Sequence, residues 1–186
     1  MNKSTLTLAV AVGVLAQQAG AAGFIDDSKT SVSSRTYYFD SDKREGASTP
    51  ANRQREAAEG LKFDYQSGFT QGTLGFGLDA QALQGITLDS GAGRHVGSGM
   101  IPSKGDGAAD AWSSFGPTAK MRIAKTELRY GTLLPKLPIL LSNDARVLPQ
   151  SFTGGQVTSK DIDGLTLTGG LLEHAVGRAS TDRTGL

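Results

Sequence analysis

The chain has 186 residues and carries 19 Lys+Arg against 18 Asp+Glu, a formal net charge of +1, which leaves no basic excess for nucleic acid. It has no cysteine and two histidines, which excludes disulfides, thiol nucleophiles and thiolate metal sites and leaves little for a histidine-ligated metal. The 25 glycines, with 38% hydrophobic and 6% aromatic residues, argue against a helical bundle, because glycine costs about 1 kcal/mol relative to alanine inside a helix.

Residues 1–21 read as a secretory signal peptide. Lys3 supplies the positive n-region, Leu6 to Leu15 is apolar apart from Thr7 and Gly13, and Ala19-Gly20-Ala21 gives a small-x-small cleavage pattern. The apolar run is too short for a spanning helix, which needs about 20 residues. An exported mature chain is expected to begin near Ala22. No later stretch approaches about 18 apolar residues, so a membrane-crossing helix is not expected and a β-barrel stays open.

From there the pattern alternates. Residues 30–39 form a first candidate strand ending in Tyr37-Tyr38-Phe39. Leu61, Phe63 and Tyr65 alternate with Lys62, Asp64 and Gln66, the period-2 signature of a strand with one apolar and one wet face. The turn-like Ser67-Gly68-Phe69-Thr70-Gln71-Gly72 leads into a strand where Leu74, Phe76, Leu78 and Ala80 oppose Thr73, Gly75, Gly77 and Asp79. Thr118, Lys120 and Arg122 then oppose Ala119, Met121 and Ile123, and Leu128, Tyr130 and Thr132 oppose Glu127, Arg129 and Gly131. Last, Leu165, Leu167, Gly169 and Leu171 oppose Thr166, Thr168 and Gly170. The pattern holds roughly seven strand candidates in all.

Short connections (Ser67–Gly72, Ala124–Thr126, Ser159–Gly164) alternate with long ones (Asp40–Glu59, Gly85–Pro117, Leu134–Phe152) rich in Gly, Ser, Asp and Pro. Transmembrane barrels are built with short periplasmic turns and longer extracellular loops, and Tyr37, Tyr38, Tyr65 and Phe69 near strand ends suit their aromatic girdles. Gly75 and Gly77 on the wet face suit a water-filled lumen. An exported β-sandwich, whose strands also alternate, is the competing architecture.

The stretch Lys120-Met121-Arg122-Ile123-Ala124-Lys125-Thr126-Glu127-Leu128-Arg129-Tyr130-Gly131-Thr132-Leu133-Leu134-Pro135-Lys136-Leu137-Pro138 resembles the OprD-type outer-membrane porins. The likeness continues through Asn143-Asp144-Ala145-Arg146-Val147-Leu148-Pro149-Gln150-Ser151-Phe152 and Leu165-Thr166-Leu167-Thr168-Gly169-Gly170. Upstream, Ala22-Gly23-Phe24-Ile25-Asp26-Asp27-Ser28 and Gly75-Phe76-Gly77-Leu78-Asp79-Ala80 are similar to the family's mature N-terminus and third strand. The resemblance implies an all-β fold, an antiparallel transmembrane β-barrel in the Gram-negative outer membrane. Its implied function is passive, selective diffusion of small anionic or zwitterionic carboxylate solutes (aromatic or organic acids, or amino acids), without cofactor, metal or enzymatic chemistry. The implied partners are those solutes, outer-membrane lipid and the barrel-assembly machinery. The Leu-Pro-Lys-Leu-Pro form of the third long loop looks closer to the branch that takes aromatic and other organic acids.

Family members are about twice this length and close an eighteen-stranded monomeric barrel, within the range of single-chain bacterial barrels. Residues 22–186 are therefore expected to be the N-terminal part of such a barrel, or the product of a truncated gene, unable to form a pore alone. An odd strand number leaves backbone groups that cannot face lipid unpaired. A complete eight-stranded barrel with a structural role is the alternative on length.

The resemblance also implies that residues 134–152 fold into the lumen, and that Arg146 belongs to a basic track guiding the substrate carboxylate, for which guanidinium is the suited group. Prolines 135, 138 and 149 would stiffen that loop. Arg35, Lys62, Lys120, Arg122 and Arg129 fall on wet strand faces and are further lining candidates, with pairing to Asp64, Asp79 or Glu127 as their competing role. Asn143, Asp144 and Ser151 are candidate polar contacts at the constriction. An envelope hydrolase would need His95 or His174 as base, but no Gly-x-Ser-x-Gly elbow occurs. Asp161-Ile162-Asp163-Gly164 lacks the rest of a calcium loop and reads as a tight turn.

Overall fold

The computed structural model describes residues 23–42, 53–95 and 99–186; the signal-peptide segment, residues 1–21, lies outside them. Eight strands form one antiparallel sheet in which each pairs with its neighbours along the chain. They are β1 (Lys29–Asp42), β2 (Arg53–Gln66), β3 (Leu74–Asp89), β6 (Ala111–Ile123), β7 (Thr126–Leu133), β10 (Ser151–Ser159), β11 (Leu167–Val176) and β12 (Arg183–Gly185). Two small ribbons sit in the connections, β4 (Ser103–Lys104) with β5 (Gly107–Ala108), and β8 (Lys136–Leu137) with β9 (Leu140–Leu141), along with one helical turn, α1 (Gly91–Arg94). β1 and β12 form the two edges of the sheet, so it does not close on itself among the described residues.

Strand length and surface decide between sandwich and barrel. β1 and β2 have 14 residues each, β3 has 16 and β6 has 13. At about 3.3 Å per residue a 14-residue strand reaches about 46 Å, ample for the roughly 10 tilted residues that cross a bilayer. One face of the sheet is apolar and open, with Val32 73%, Phe115 66% and Leu171 71% exposed, beside Phe63, Phe76 and Leu88. A sandwich buries such a face, whereas a barrel turns it to lipid. The other face holds the core, where Ala58, Leu83, Met100, Ile101, Trp112, Val147 and Leu148 are buried together. This inner face is roofed by residues 99–110 and 134–150, which supply Met100, Ile101, Val147 and Leu148 to the core.

β2, β3 and β6 run further toward the long-loop end than alternation indicates: β3 continues to Asp89 and β6 starts at Ala111, with Gly85↔Trp112 and Ile86↔Ala111 paired. β1 to Asp42, β2 from Arg53, β3 to Asp89 and β6 from Ala111 thus take up the ends of the loops read as 40–59 and 85–117. The eighth strand, three residues against β11, carries no alternation to reveal it.

Two turns tie the short-loop end. Ala124 and Lys125 close the β6–β7 hairpin between paired Ile123 and Thr126, with Ala124 at φ 48°. A positive φ at the first central position is where glycine is favoured. Ala124→Gly is expected to stabilise the chain by about 1 kcal/mol in a folding titration. Leu165 N donates to Ile162 O at 3.1 Å, and the Asp161 carboxylate accepts from Thr126 Oγ1 (2.5 Å), Lys125 N (2.8 Å) and Ser159 Oγ (3.1 Å). These bonds, that from Thr126 foremost, hold the Asp161 carboxyl below its ordinary range. Lys125 Nζ meets Asp163 at 2.8 Å. The acidic segment is thus a strapped turn, as read.

At Gly131 the chain adopts φ 139°, open to glycine but strained for other residues, and Thr118↔Gly131 is the last β6–β7 pair. Beyond this bulge Thr132 points to the inner face, where its side chain fills the space over Gly116. The expectation that Thr132 shares the outer face with Leu128 and Tyr130 is corrected, because one bulge resets the alternation.

Candidate functional site

A row of paired residues, Arg35↔Gly60↔Gly85↔Trp112, crosses β1, β2, β3 and β6. Its two glycines form a trough on the inner face. The Trp112 ring lies over Gly85, where an added Cβ would meet ring carbons at 2.2–2.6 Å. Val147 lies over Gly60, where a Cβ would meet its carbonyl oxygen at 2.6 Å and Cγ1 at 2.7 Å. The loop between β9 and β10 is therefore seated on the sheet by its buried Val147-Leu148 pair.

Arg35 clamps the same loop from the side. Its Nη1 donates to Asp144 Oδ1 (2.8 Å), Asp144 O (3.0 Å) and Arg146 O (2.6 Å), and Nη2 to Asp144 Oδ2 (3.1 Å). The two-pronged guanidinium–carboxylate pair fixes orientation as well as distance. Arg35 and Asp144 thus neutralise each other. Asn143 completes the loop internally: its Oδ1 accepts from Ala145 N (3.1 Å) and its carbonyl from Gln150 N (2.8 Å). Ser151 is buried at the start of β10.

Held this way, Arg146 is set 5.7 Å from the ring centroids of both Tyr37 and Phe39, with Nη1 donating to Tyr37 Oη at 3.1 Å. Tyr37 therefore faces inward beneath Arg146 and is not part of an outer girdle, whereas Tyr38 is outward and 58% exposed.

The remaining cations divide by partner. Lys62 pairs with Asp64 at 3.1 Å, and Arg129 with Glu127 and, at 3.7 Å, Asp79. Lys120 does not line open space: its side chain is 4% exposed, bonded to Asp79 and to the Ser67 carbonyl at 2.6 Å each. A turn packed over it removes it from the wet surface its spacing suggests. Arg122 lies over the Phe69 ring at 4.3 Å. Arg146 and Arg122 thus both lie on aromatic rings, and neither has a carboxylate within ion-pair distance among the described residues. An open cavity of about 440 Å³ lies between the sheet and the loop, lined by Lys62, Asp64, Asp79, Gln81, Arg129 and Lys136 among others.

His95 lies just after α1, at the long-loop end of the sheet. Its Nδ1 bonds Glu56, which is fully buried, and Nε2 lies 2.8 Å from Ser103 Oγ. The Ser103 contact ties His95 to the 99–110 segment, which also buries Met100 and Ile101. His174, on β11, pairs in register with Thr153 of β10 and Gly185 of β12.

A family model described as outer membrane porin, OprD family, matches residues 22–186. The chain belongs to the OprD family. It is 42% identical over 154 residues to the porin-like protein GalP of Pseudomonas putida, covering 82% of this chain and 37% of that one. To Porin D of Pseudomonas aeruginosa it is 39% identical over 171 residues, covering 91% and 38%. Among solved structures, OccK9 (OpdG) of Pseudomonas aeruginosa superposes with a TM-score of 0.82 at 44% identity, over 87% of this chain and 42% of that one. OpdK with vanillate, also from Pseudomonas aeruginosa, gives 0.76 at 37% identity, over 87% and 40%. The chain thus spans about two-fifths of the length of these relatives. The sheet is part of an OprD-type barrel, an outer-membrane fold of Gram-negative bacteria, and its relatives are channels rather than enzymes.

Two contributors to this OprD inner face escape sequence reasoning. The Gly60–Gly85 trough carries no motif, since its meaning depends on strand register. Phe69, whose place near a strand end suits an aromatic girdle, lies instead on the inner face against Gly75 and Arg122, because the turn that carries it folds inward.

Proposed function

We propose that the intact channel carries small carboxylate-bearing solutes passively across the outer membrane, with the 134–150 loop narrowing the lumen and Arg146 meeting the carboxylate. The observation that carries this reading is the division of charge on the inner face. Arg35, Lys62, Lys120 and Arg129 are each compensated by an acid, whereas Arg146 is held on aromatic rings with none. A lumen whose uncompensated arginine sits on the constricting loop favours anions, and a contact of moderate strength lets them leave again. The vanillate in the related OpdK structure is an aromatic carboxylate, which supports the same class. In this reading residues 1–21 direct export, the barrel-assembly machinery inserts the chain and the channel is monomeric.

The test is block of single-channel current in a full-length channel carrying these residues, comparing benzoate with benzamide. Benzoate is expected to produce resolvable binding events and benzamide fewer and shorter ones. Equal behaviour of the two would remove carboxylate selectivity from the account.

A further inference from the structure

The β2–β3 hairpin does not end in a plain turn. Its ladder continues past Gln66 with Ser67 N to Leu78 O (3.2 Å) and resumes with Thr70 N to Phe76 O (2.8 Å). The hydroxyls of the same two residues accept the return bonds, Ser67 Oγ from Leu78 N (2.7 Å) and Thr70 Oγ1 from Phe76 N (2.9 Å). Gly68 and Phe69, between these two fixed points, are pushed onto the inner face. Room for them comes from the opposing strand: a Cβ on Gly77 would meet the Gly68 carbonyl at 2.7 Å, and one on Gly75 would meet Phe69 Cβ at 3.1 Å. Gly75 and Gly77 therefore accommodate protein, not the water that their wet-face position suggests.

Four further contacts hold this bulge inward. Gly68 N donates to Phe24 O at 2.9 Å, so the 23–27 segment backs it. Buried Lys120 donates to the Ser67 carbonyl and lies 4.8 Å from the Phe69 ring, with Arg122 at 4.3 Å. Both cations lie within the roughly 6 Å of a ring centroid at which a cation–π attraction holds the ring and the charge together. Phe69 projects from the end of the sheet opposite the 134–150 loop, where the short turns gather, and a recess of about 210 Å³ lined by Asp27, Lys29, Gln66 and Arg122 adjoins it.

We propose that the Gly68–Phe69 bulge is a second, apolar narrowing of the channel at its short-turn end, with Phe69 the residue that sets its width. This rests on the reading that the inner face lines the pore, and it goes beyond the constriction loop. A solute that has passed Arg146 then crosses the edge of a fixed ring, with Arg122 beside it.

The test is single-channel conductance of Phe69→Ala, Phe69→Leu and Phe69→Trp in the full-length channel, each confirmed as folded by heat-modifiable mobility. Conductance is expected to rise on the order of 1.5-fold for Phe69→Ala, less for Phe69→Leu, and to fall for Phe69→Trp, with the reversal potential unchanged because no charge moves. A merely structural ring would not produce opposite changes with smaller and larger side chains. If the three folded variants share the parent conductance, the inference is overturned. The pore-lining reading would survive that result provided a thiol placed on the 134–150 loop still alters current on modification; loss of both effects would take the lining reading with it. Should Phe69→Ala not fold, Phe69→Leu and Phe69→Trp still decide the sign.

Discussion

Replacing Arg146 with glutamine in a full-length channel carrying these residues is expected to abolish most of its anion preference. The substitution keeps a polar, hydrogen-bonding side chain, though a shorter one that no longer reaches Tyr37 as Nη1 does, and it removes an inner-face charge on the 134–150 loop that no acid compensates. Hydrogen bonds to charged groups contribute about 1.5–3 kcal/mol, so carboxylate affinity should fall roughly tenfold or more, since about 1.4 kcal/mol is a factor of ten. Reversal potential in a salt gradient reads the first effect and benzoate block the second. Arg146→Lys should recover the sign of selectivity but not full affinity, because an ammonium lacks the planar fork that lies 5.7 Å from both Tyr37 and Phe39. A parent-like reversal potential in Arg146→Gln would take Arg146 out of the ion path.

The second large effect is expected at a residue without a side chain. Gly60→Val places methyl groups where Val147 already sits: the Cβ alone would lie 2.6 Å from a carbonyl oxygen and 2.7 Å from Cγ1. The first obstacle is backbone, so it cannot rotate away. Overpacking of this kind costs about 1–3 kcal/mol, here against a loop held by its buried Val147-Leu148 pair and by Arg35. The loop should lift from the trough, carrying Arg146 with it. Conductance is expected to increase while anion preference falls, the combination that distinguishes displacement of the loop from loss of one charge. Gly60→Ala should give a smaller change of the same kind. A folded Gly60→Val channel with parent conductance and selectivity would show that the loop is not what narrows the pore.

Legibility in the sequence followed physical setting. Alternation marked the parts of β2, β3, β6 and β7 that separate lipid from lumen, because only there do the two faces demand opposite chemistry. Toward the long-loop end both faces are polar or packed under loops, as at Arg55-Glu56-Ala57-Ala58 in β2, and period two vanishes although the strand continues. The bulges at Gly131 and Gly68–Phe69 reset or interrupt the count, so alternation and position alone put Thr132 and Phe69 on the outer face, whereas both lie on the inner one. The charge pairs were half visible. Lys62–Asp64 and Arg129–Glu127 lie two residues apart on one strand face, whereas Arg35 and Asp144 are separated by 109 residues and meet only through the seat of the loop. The resemblance over 120–152 pointed to Arg146, yet nothing in that stretch shows that Arg35 serves to place it.

The most direct measurement exploits the absence of cysteine from this chain. Ala145, exposed beside Arg146 on the loop, is replaced by cysteine in the full-length channel, and current is followed while a bulky, negatively charged methanethiosulfonate is added, with the unsubstituted channel as control. The account predicts a stepwise fall in current, restored by reductant, because the loop lies in the ion path. Complete labelling confirmed by mass, without any change in current, would contradict it.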